Sequence, residues 1–372
     1  MQRVVHLSTV HKSNDVRIFL KECCSLASAG YDVTLVARAE ADSVKNGVKI
    51  VAVKQYDHSR LSRMLLSTYD VFRKARRMRA DLYHFHDPEL MPVGALLRLT
   101  GASVVYDVHE DTPKQILSKE WIPSVMRTSI ASTLGAFEWL SSRFVFSRVV
   151  AATPPIAVRF PPRKTTTVQN FPIADELTPT DQTLPMAQRP PCVIYAGGLT
   201  GIRGVREMVH AMECVENPET MLAIAGLFTE LGLEQQVRAA RGWKRVDYRG
   251  FMSRIEMANL LGEARAGLVL FQDVPNAITS YPTKMFEYMS AGLPVIASDF
   301  PLWRSIIESD RCGLLVDQRN PAAIAKAIDW ILTHPNEAEA MGRRGKEAVT
   351  AKYNWAAQER KLLQMYKIEL NG

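Results

Sequence analysis

The sequence lacks most of the features that mark secreted, membrane-spanning or zinc-binding proteins. Its five cysteines, in a chain of 372 residues, are scattered and odd in number, which argues against a disulfide framework or a paired CxxC zinc site. No apolar run reaches the roughly 18 residues that a membrane-spanning helix needs. The first residues form an apolar, strand-like run around Val4 and Leu7 instead of a signal peptide. These absences predict a cytoplasmic protein.

Acidic residues are fewer than basic ones, and this excess of positive charge favours anionic partners. The net charge is +7 and the pI is near 9.1. Residues 60–79 carry seven Lys and Arg residues, interleaved with apolar ones in the pattern of a basic amphipathic helix. One interpretation is a surface helix with a solvated cationic face. The other is peripheral contact with the inner face of a membrane or with an anionic acceptor.

The length and the order of the apolar segments predict an α/β protein with two domains, because one hydrophobic core rarely serves 372 residues. In the first half, apolar β-type runs alternate with helical patterns such as residues 18–29, which end at Gly30. Such an alternation predicts parallel βαβ units in a sheet covered on both faces. The predicted strands are 4–7, 33–37, 48–53, 82–85, 103–108 and 145–151.

A proline-rich stretch at residues 154–191 is the predicted linker to a second alternation. The predicted strands after it are 193–196, 221–225, 246–248, 267–271, 294–297 and 313–316. We therefore expect two Rossmann-like domains, residues 1–172 and 190–354, whose parallel sheets face each other across a cleft and bind ligands at their carboxyl ends. The last helical segment, 355–372, is a candidate for packing back on the first domain.

A glycine-rich turn follows the first strand of the second half. Gly197 and Gly198 lie between that strand and a helix predicted from about Val205, and Arg203 lies just before the helix. Glycines let the backbone approach phosphate oxygens, a helix N-terminus offers unsatisfied N–H groups, and an arginine can pair with a pyrophosphate. The alternative is a tight turn that needs positive φ and leaves Arg203 exposed.

A second motif, residues 280–299, reads as a loop, a helix from about Thr283, a terminating Gly292 and an apolar strand. Glu287 lies one turn after Lys284, so the two side chains share a helix face. One could lie at a ribose and the other near a phosphate. A plain surface pair explains the same spacing.

In the first half, His109 stands at the end of a predicted strand, where side chains reach ligands. The alternative is that this histidine is structural. His84 and His86 share one face of another strand, which suggests a metal. We find no further histidine or cysteine cluster that would complete a ligand set, and therefore predict no metal site. Asp87, followed by Pro88, is explained as an N-cap with proline at the first helical position.

The segment after the first strand, residues 11–18, contains no glycine, which argues against a nicotinamide dinucleotide there. From the residues alone, Asp15 is suited to cap the helix that contains Phe19.

The sequence resembles the retaining glycosyltransferases of family 4 (group 1), which adopt the GT-B fold, over nearly its whole length. In that family the glycine-rich turn reads Gly-Arg-Leu, three variable residues, then Lys-Gly, and its arginine and lysine bind the donor diphosphate. Gly197, Leu199 and Gly204 match this pattern. Arg203 stands in place of the lysine, and Gly198 replaces the arginine.

The family also has two glutamates eight positions apart, of which the second binds the donor ribose. Glu287 matches the second position, whereas Thr279 stands at the first, which is linked to the donor sugar hydroxyls. We hypothesise that Lys284 restores the cation that Gly198 cannot supply. His109 matches a histidine that contacts the donor sugar in the family.

The resemblance thus implies a catalytic group of His109, Arg203 and Lys284, and acceptor-side positions at Asp15 and Arg17. The implied donor-binding residues are Gly197, Gly198, Arg203, Gly250, Phe251, Met252, Tyr281, Pro282, Thr283, Lys284 and Glu287. Among them, the Gly250 to Met252 loop would meet the base.

The implied function is metal-independent transfer of a hexosyl group, with retention, from a UDP or GDP sugar to a saccharide or lipid-linked acceptor in cell-surface polysaccharide assembly. No cofactor and no nucleic acid are expected. Two alternatives stay open. One is a sugar-nucleotide epimerase or hydrolase of the same fold. The other is a non-catalytic protein that binds nucleic acid or an anionic membrane through the basic helix, with a steep salt dependence.

Overall fold

The computed structural model describes residues 1–54, 60–117, 122–174, 176–177 and 184–371, and only the backbone for residues 60–63. It divides into two compact units. The first contains Met1–Asn170 together with Trp355–Gly372, and the second contains Phe171–Asn354.

The first unit is built on an eight-stranded sheet with the order β3-β4-β2-β1-β5-β6-β7-β8. All neighbouring strands are parallel except the β3–β4 pair, which is antiparallel. The strands are β1 Arg3–Lys12, β2 Asp32–Arg38, β3 Ser43–Lys45, β4 Val48–Val53, β5 Leu82–Phe85, β6 Ser103–Val108, β7 Arg148–Ala151 and β8 Thr165–Thr167. The central strands are largely apolar and buried, as a sheet covered on both faces requires.

Helices connect these strands. A π-helical segment, Val16–Cys23, follows β1 and leads directly into the first α-helix. The α-helices are α1 Cys24–Ser28, α2 Arg60–Met78, α3 Met91–Arg98, α4 Thr112–Leu117, α5 Ser124–Phe144 and α6 Pro154–Ala157.

The second unit has a six-stranded, fully parallel sheet with the order β11-β10-β9-β12-β13-β14. The strands are β9 Cys192–Ala196, β10 Met221–Ala225, β11 Val246–Gly250, β12 Ala266–Val269, β13 Val295–Ser298 and β14 Gly313–Val316. The helices are α7 Val205–Cys214, α8 Leu233–Ala239, α9 Arg254–Glu263, α10 Pro275–Ile278, α11 Thr283–Ser290, α12 Pro301–Asp310, α13 Pro321–Thr333 and α14 Pro335–Ala351. Each unit therefore has the Rossmann-like plan that the alternation predicts.

The chain ends with α15, Trp355–Asn371, which belongs to the first unit. The indole nitrogen of Trp355 donates to Ser25 Oγ, and Tyr366 is fully buried against the histidines of that unit. Among the described residues, no helix is both long and apolar enough to cross a membrane.

Two predictions on the first unit's elements are wrong. Residues 145–147 are not part of a strand, because α5 continues to Phe144 and the amides of Val145 and Phe146 both donate to the carbonyl of Ser141. The predicted linker also starts too early. Pro154 begins α6, because proline is well suited to the first turn of a helix. β8, at the edge of the sheet, also lies within the predicted linker.

Candidate functional site

The glycine-rich turn at the end of β9 packs backbone against backbone. Gly197 has a φ of 130°, and Gly226, after the neighbouring β10, has a φ of 149°. A Cβ atom on Gly226 would lie 1.9 Å from the carbonyl oxygen of Gly197. Gly204, directly before α7, is equally confined, because a Cβ there would lie 1.9 Å from the carbonyl oxygen of Leu270. Only glycine fits at these positions.

Two cationic side chains flank this turn. Arg203 Nη1 donates to the carbonyl of Gly198 across 3.3 Å. A Cβ on Gly197 would lie 2.9 Å from Lys284 Nζ, and one on Gly198 would lie 2.7 Å from Arg203 Nη1. The structure therefore brings Gly197, Gly198, Arg203 and Lys284 together, although Lys284 is distant from the turn in sequence.

Lys284 is buried, and its ammonium nitrogen has no hydrogen-bond acceptor among the described residues. The nitrogen lies 3.7 Å from the centroid of the Tyr195 ring and 5.4 Å from that of Phe271. Burial lowers the pKa of Lys284 well below its ordinary value, Arg203 lowers this pKa further, and Glu287 opposes the shift. An anion bound here would supply the missing acceptor.

Glu287 is held by a salt bridge that the sequence patterns do not reveal. Its Oε1 accepts from Arg254 Nη1 across 2.9 Å, while Arg254 Nε and Nη2 donate to Glu176 across 2.8 and 2.7 Å. Burial alone would lower the pKa of Arg254, but the two glutamates raise it. Arg254 therefore remains charged and fixes one oxygen of Glu287.

The other predicted donor residues surround the same edge of the sheet. Gly250, with a φ of 63°, ends β11, and Phe251 after it is 79% exposed. Met252 is half-buried. Pro282 precedes α11, which Thr283 begins, and the half-buried Tyr281 stacks on Phe286.

Thr279, at the position of the family's first glutamate, directly follows α10. Its hydroxyl donates to the carbonyl of Pro275 within its own turn, across 3.4 Å. Gln272 follows β12 in sequence, and its side-chain nitrogen is buried without a partner among the described residues.

In the first unit, His109 lies just after β6 with a side chain that is 17% exposed. Its Nε2 is 3.1 Å from Asp107 Oδ2 and 3.1 Å from His86 Nδ1. The ring of His11 lies 5.2 Å from the His109 ring, between centroids. Sequence reasoning missed His11 and Asp107, although Asp107 shares the strand face of His109 in the period-two pattern.

Asp15 caps the π-helical segment, as the structural alternative holds. Its Oδ1 accepts from the amides of Arg17 and Ile18, both across 2.9 Å, and its Oδ2 is 3.2 Å from His11 Nδ1. Burial alone would raise the pKa of Asp15, but hydrogen bonds from His11 and Ile18 lower it. For His11, burial would lower the pKa, but Asp15 and Asp87 raise it.

Arg17 is not at the surface, contrary to what acceptor contact requires. The residue is 4% exposed, and its guanidinium binds Asp107 at 2.9 Å, Glu22 at 3.1 Å and the carbonyl of Val168 at 2.9 Å. Two buried carboxylates draw the guanidinium inward, because a buried charge needs a partner. Arg17 is therefore a structural residue behind the site.

The predicted cap role of Asp87 is also wrong in part. Pro88 does begin a helical turn, but the Asp87 side chain makes no capping bond. Its Oδ2 instead accepts from the Ser8 hydroxyl at 2.8 Å and from the Thr9 amide at 2.7 Å. Ser8 and Thr9 of β1 supply these donors, and a buried carboxylate requires hydrogen-bond donors.

The structure contradicts the premise that no further cluster could complete a ligand set with His84 and His86. His6 and Glu22 join them, and one potential ligand atom from each lies within 4.8 Å of the others. However, His6 Nδ1 is 2.9 Å from His86 Nε2, and His6 Nε2 is 3.1 Å from the hydroxyl of Tyr366. Both nitrogens of His6 are thus already used in hydrogen bonds. One of these bonds would have to break before His6 could bind a metal.

Two family models match the chain. Residues 180–348 match the model described as glycosyl transferases group 1, and residues 17–170 match the glycosyl transferase 4-like domain. The chain belongs to the group 1 glycosyltransferases. The glycosyltransferase is 26% identical to D-rhamnosyltransferase WbpZ of Pseudomonas aeruginosa over 377 residues, which cover 92% of this chain and 90% of the relative. It is 22% identical to a glycogen synthase of Mycobacterium tuberculosis over 386 residues, or 94% and 89% of the two chains.

Solved structures show the same fold at low identity. Sucrose-phosphate synthase from Thermosynechococcus elongatus matches with a TM-score of 0.77 and 19% identity, over 99% of both chains. HepE of Anabaena in complex with UDP-glucose matches with a TM-score of 0.73 and 15% identity, over 99% of this glycosyltransferase and 100% of HepE. The two Rossmann-like units are thus those of the GT-B fold, which confirms the fold class.

Proposed function

We propose that this glycosyltransferase moves a hexosyl group, with retention and without a metal ion, from a UDP or GDP sugar to a saccharide or lipid-linked saccharide. The observation that carries the proposal is the convergence of Arg203 and the buried Lys284 on the bare backbone of Gly197 and Gly198. Two neighbouring cations repel each other unless an anion lies between them. A donor diphosphate is an anion of the right charge for this position.

The same two cations would stabilise the leaving group. As the anomeric bond breaks, negative charge builds on the diphosphate, and fixed donors aimed at that charge lower the barrier. The N-terminus of α7 after Gly204 and that of α11 after Pro282 carry no side-chain cap, so their amides are suited to assist.

Glu287 is suited to the donor ribose. Arg254 holds its Oε1, and among the described residues Oε2 makes no hydrogen bond. A fixed carboxylate oxygen can accept from a ribose hydroxyl, as acidic residues do in other Rossmann-like nucleotide sites. The base would then meet the loop from Gly250 to Met252.

The donor class gains support from relatives. HepE of Anabaena has been solved with UDP-glucose. A phosphatidyl-myo-inositol mannosyltransferase of Mycobacterium leprae is 29% identical over 157 residues, or 42% of this chain. For His109 we propose a contact with the transferred sugar, and for Asp15 a place near the acceptor. The donor phosphate itself would take the acceptor proton, as the resemblance to the family implies.

A lipid-linked acceptor is favoured by two helices of the first unit. In α2, Leu65 and Tyr69 are 66% and 65% exposed, and a surface cavity is lined by Arg73, Arg76, Arg77 and, just after the helix, Arg79. On α5, Met126, Ile130, Phe137, Leu140 and Phe144 are all exposed and recur at helical spacing along one face. Apolar stripes with basic neighbours suit an anionic membrane surface. We therefore propose that the enzyme acts at the inner face of the cytoplasmic membrane.

Product analysis tests the function. Purified enzyme is incubated with radiolabelled UDP and GDP sugars, with and without a panel of soluble and lipid-linked saccharides. Transfer only in the presence of acceptor, with the anomeric configuration kept, is the expected result. Isomerised or hydrolysed sugar from donor alone would support the epimerase or hydrolase instead. Transfer restricted to soluble acceptors, with no binding to anionic liposomes, would contradict the lipid-linked acceptor and the membrane location.

A further inference from the structure

A row of buried polar side chains lies behind His109 in the first unit. It consists of His84, Tyr366, His6, His86 and Asp107, which we call the histidine row, and each member is at most 3% exposed. His84 Nδ1 is 2.7 Å from the Tyr366 hydroxyl, which is 3.1 Å from His6 Nε2. His6 Nδ1 is 2.9 Å from His86 Nε2, and His86 Nδ1 is 3.2 Å from Asp107 Oδ2.

The end of the row at Asp107 determines the direction of every hydrogen bond. Burial alone would raise the pKa of Asp107, but Arg17 and His109 hold it well below its usual range. Asp107 is therefore ionised and can only accept. His86 must donate from Nδ1 to Asp107, which leaves its Nε2 as the acceptor for the Nδ1–H of His6.

The same reasoning continues to the far end of the row. Burial lowers the pKa of His6 and His84 well below the ordinary value and that of His86 to about 4, so all three rings are neutral and carry one proton each. His6 Nε2 then accepts from the Tyr366 hydroxyl, whose oxygen accepts from His84 Nδ1. The geometry thus requires the Nδ1–H tautomer for all three histidines.

His109 is the second donor to the same carboxylate oxygen. Its Nε2 lies 3.1 Å from Asp107 Oδ2 and 3.1 Å from His86 Nδ1. An unprotonated Nε2 would set its lone pair against the carboxylate, so Nε2 carries the proton. Among the described residues, its Nδ1 has no hydrogen-bond partner. We propose that the members of the histidine row are positioning residues. Through Asp107 they fix His109 with its Nε2–H inward and its Nδ1 lone pair outward, as an acceptor for a sugar hydroxyl. Only the identity of that hydroxyl rests on the proposed function.

Nitrogen NMR tests the tautomers without any assay of transfer. The chain has eight histidines, so histidine-selective ¹⁵N labelling gives a simple spectrum. We expect Nδ1–H tautomers for His6, His84 and His86 and the Nε2–H tautomer for His109. A different tautomer or a charged ring at His6 or His86 near neutral pH would overturn the proposal. A stoichiometric metal on His6 and His84 that EDTA removes would also overturn it.

Tyr366→Phe tests whether the row reaches His109. The hydroxyl is lost without a change of shape, so His84 Nδ1 loses its acceptor and the buried His6 Nε2 loses its donor, whereas Asp107 still fixes the proton of His86. We expect mixed tautomers at His6 and His84. Because His6 then holds His86 less firmly, we also expect a kcat about tenfold lower with little change in KM for the donor, by analogy with partners that orient metal-bound histidines. Tyr366→Phe with unchanged tautomers and unchanged kcat would contradict the proposal.

Tyr83→Phe is the matched control. Tyr83 is also buried in the first unit, and its hydroxyl bonds to the backbone at Ala75 and Ala80, outside the row. We expect it to lose comparable stability but to keep the wild-type tautomers and kcat. Equal losses of kcat in both variants would show a merely structural role. If the wild type transfers no sugar at all, the proposed function fails while the spectra still decide the positioning role.

Discussion

Arg254 donates to Glu287 across 2.9 Å and holds that carboxylate in place from another helix. Glu176 binds the other side of the same guanidinium. The carboxylate that we propose for the ribose thus depends on a residue that does not itself match any nucleotide motif. This dependence can be measured.

Arg254→Met removes the guanidinium and leaves Glu287 without its partner. We expect affinity for the nucleoside diphosphate to fall by about 1.5 to 3 kcal/mol, the range for hydrogen bonds to charged groups. Titration calorimetry with the nucleoside diphosphate and with inorganic pyrophosphate separates the contribution of the ribose from that of the phosphates. Only the binding of the nucleoside diphosphate should weaken. Arg304→Met is the control, because Arg304 also bridges two carboxylates, Asp299 and Glu308, but on an exposed surface. Equal loss for pyrophosphate would contradict the ribose assignment.

Arg203→Ala removes one cation from the glycine-rich turn. Loss of one preorganised donor to a developing oxyanion costs about 2.7 to 4 kcal/mol in the transition state, so kcat/KM should fall by a corresponding factor. Steady-state kinetics with saturating acceptor measures this. Arg206→Ala is the control, because Arg206 lies three residues further on, in α7, and is paired with Glu230 at the surface; this variant should leave kcat/KM nearly unchanged. A fully active Arg203 variant would refute the role.

The buried Lys284 should couple diphosphate binding to the uptake of a proton. Burial and Arg203 lower its pKa in the free protein, and a bound diphosphate would raise it again. Between the two pKa values the free protein lacks the proton that the complex holds, so binding takes up a proton and affinity declines as pH rises through this window. Calorimetry in two buffers of different ionisation enthalpy, from neutral pH up to the ordinary 10.5 of lysine, measures the uptake. Lys284→Arg, which stays protonated, should show none. Buffer-independent heats for the wild type throughout would exclude this linkage.

Substitutions at Asp15 distinguish its role as a helix cap from a role in binding the acceptor. Asp15→Ala should lower the free energy of unfolding by about 1 kcal/mol, as lost N-caps do, whereas Asp15→Ser should restore most of it. Urea unfolding gives both values. If the serine variant regains stability but keeps a raised KM for the acceptor, Asp15 also binds the acceptor. Equal stability of all three proteins would rule out the capping role.

The glycine-rich turn and α11 could be predicted from sequence because their signals are local. A strand, a glycine turn and a helix start follow one another around Gly197, and α11 begins at Thr283 as the pattern predicts. The nearness of Lys284 to Gly197 also follows, because parallel strands place their carboxyl ends together.

The supporting residues could not be predicted in the same way. Arg254 and Glu176 are 78 residues apart and meet only through the tertiary fold. In the histidine row, His6 stands opposite His84 in the register of β1 and β5, but Tyr366 comes from the last helix, 360 residues later. No spacing rule in a single sequence links such positions.

Arg203 and Lys284 together should hold a diphosphate, and a comparison of the binding of a nucleoside diphosphate with that of its nucleoside tests this role. Calorimetry on the wild type and on Lys284→Met gives the contribution of the phosphates to binding in each protein. We predict that the wild type binds the diphosphate far more tightly than the nucleoside, and that the variant loses most of this difference while its nucleoside affinity is unchanged. An undiminished affinity of the variant for the diphosphate would contradict the account.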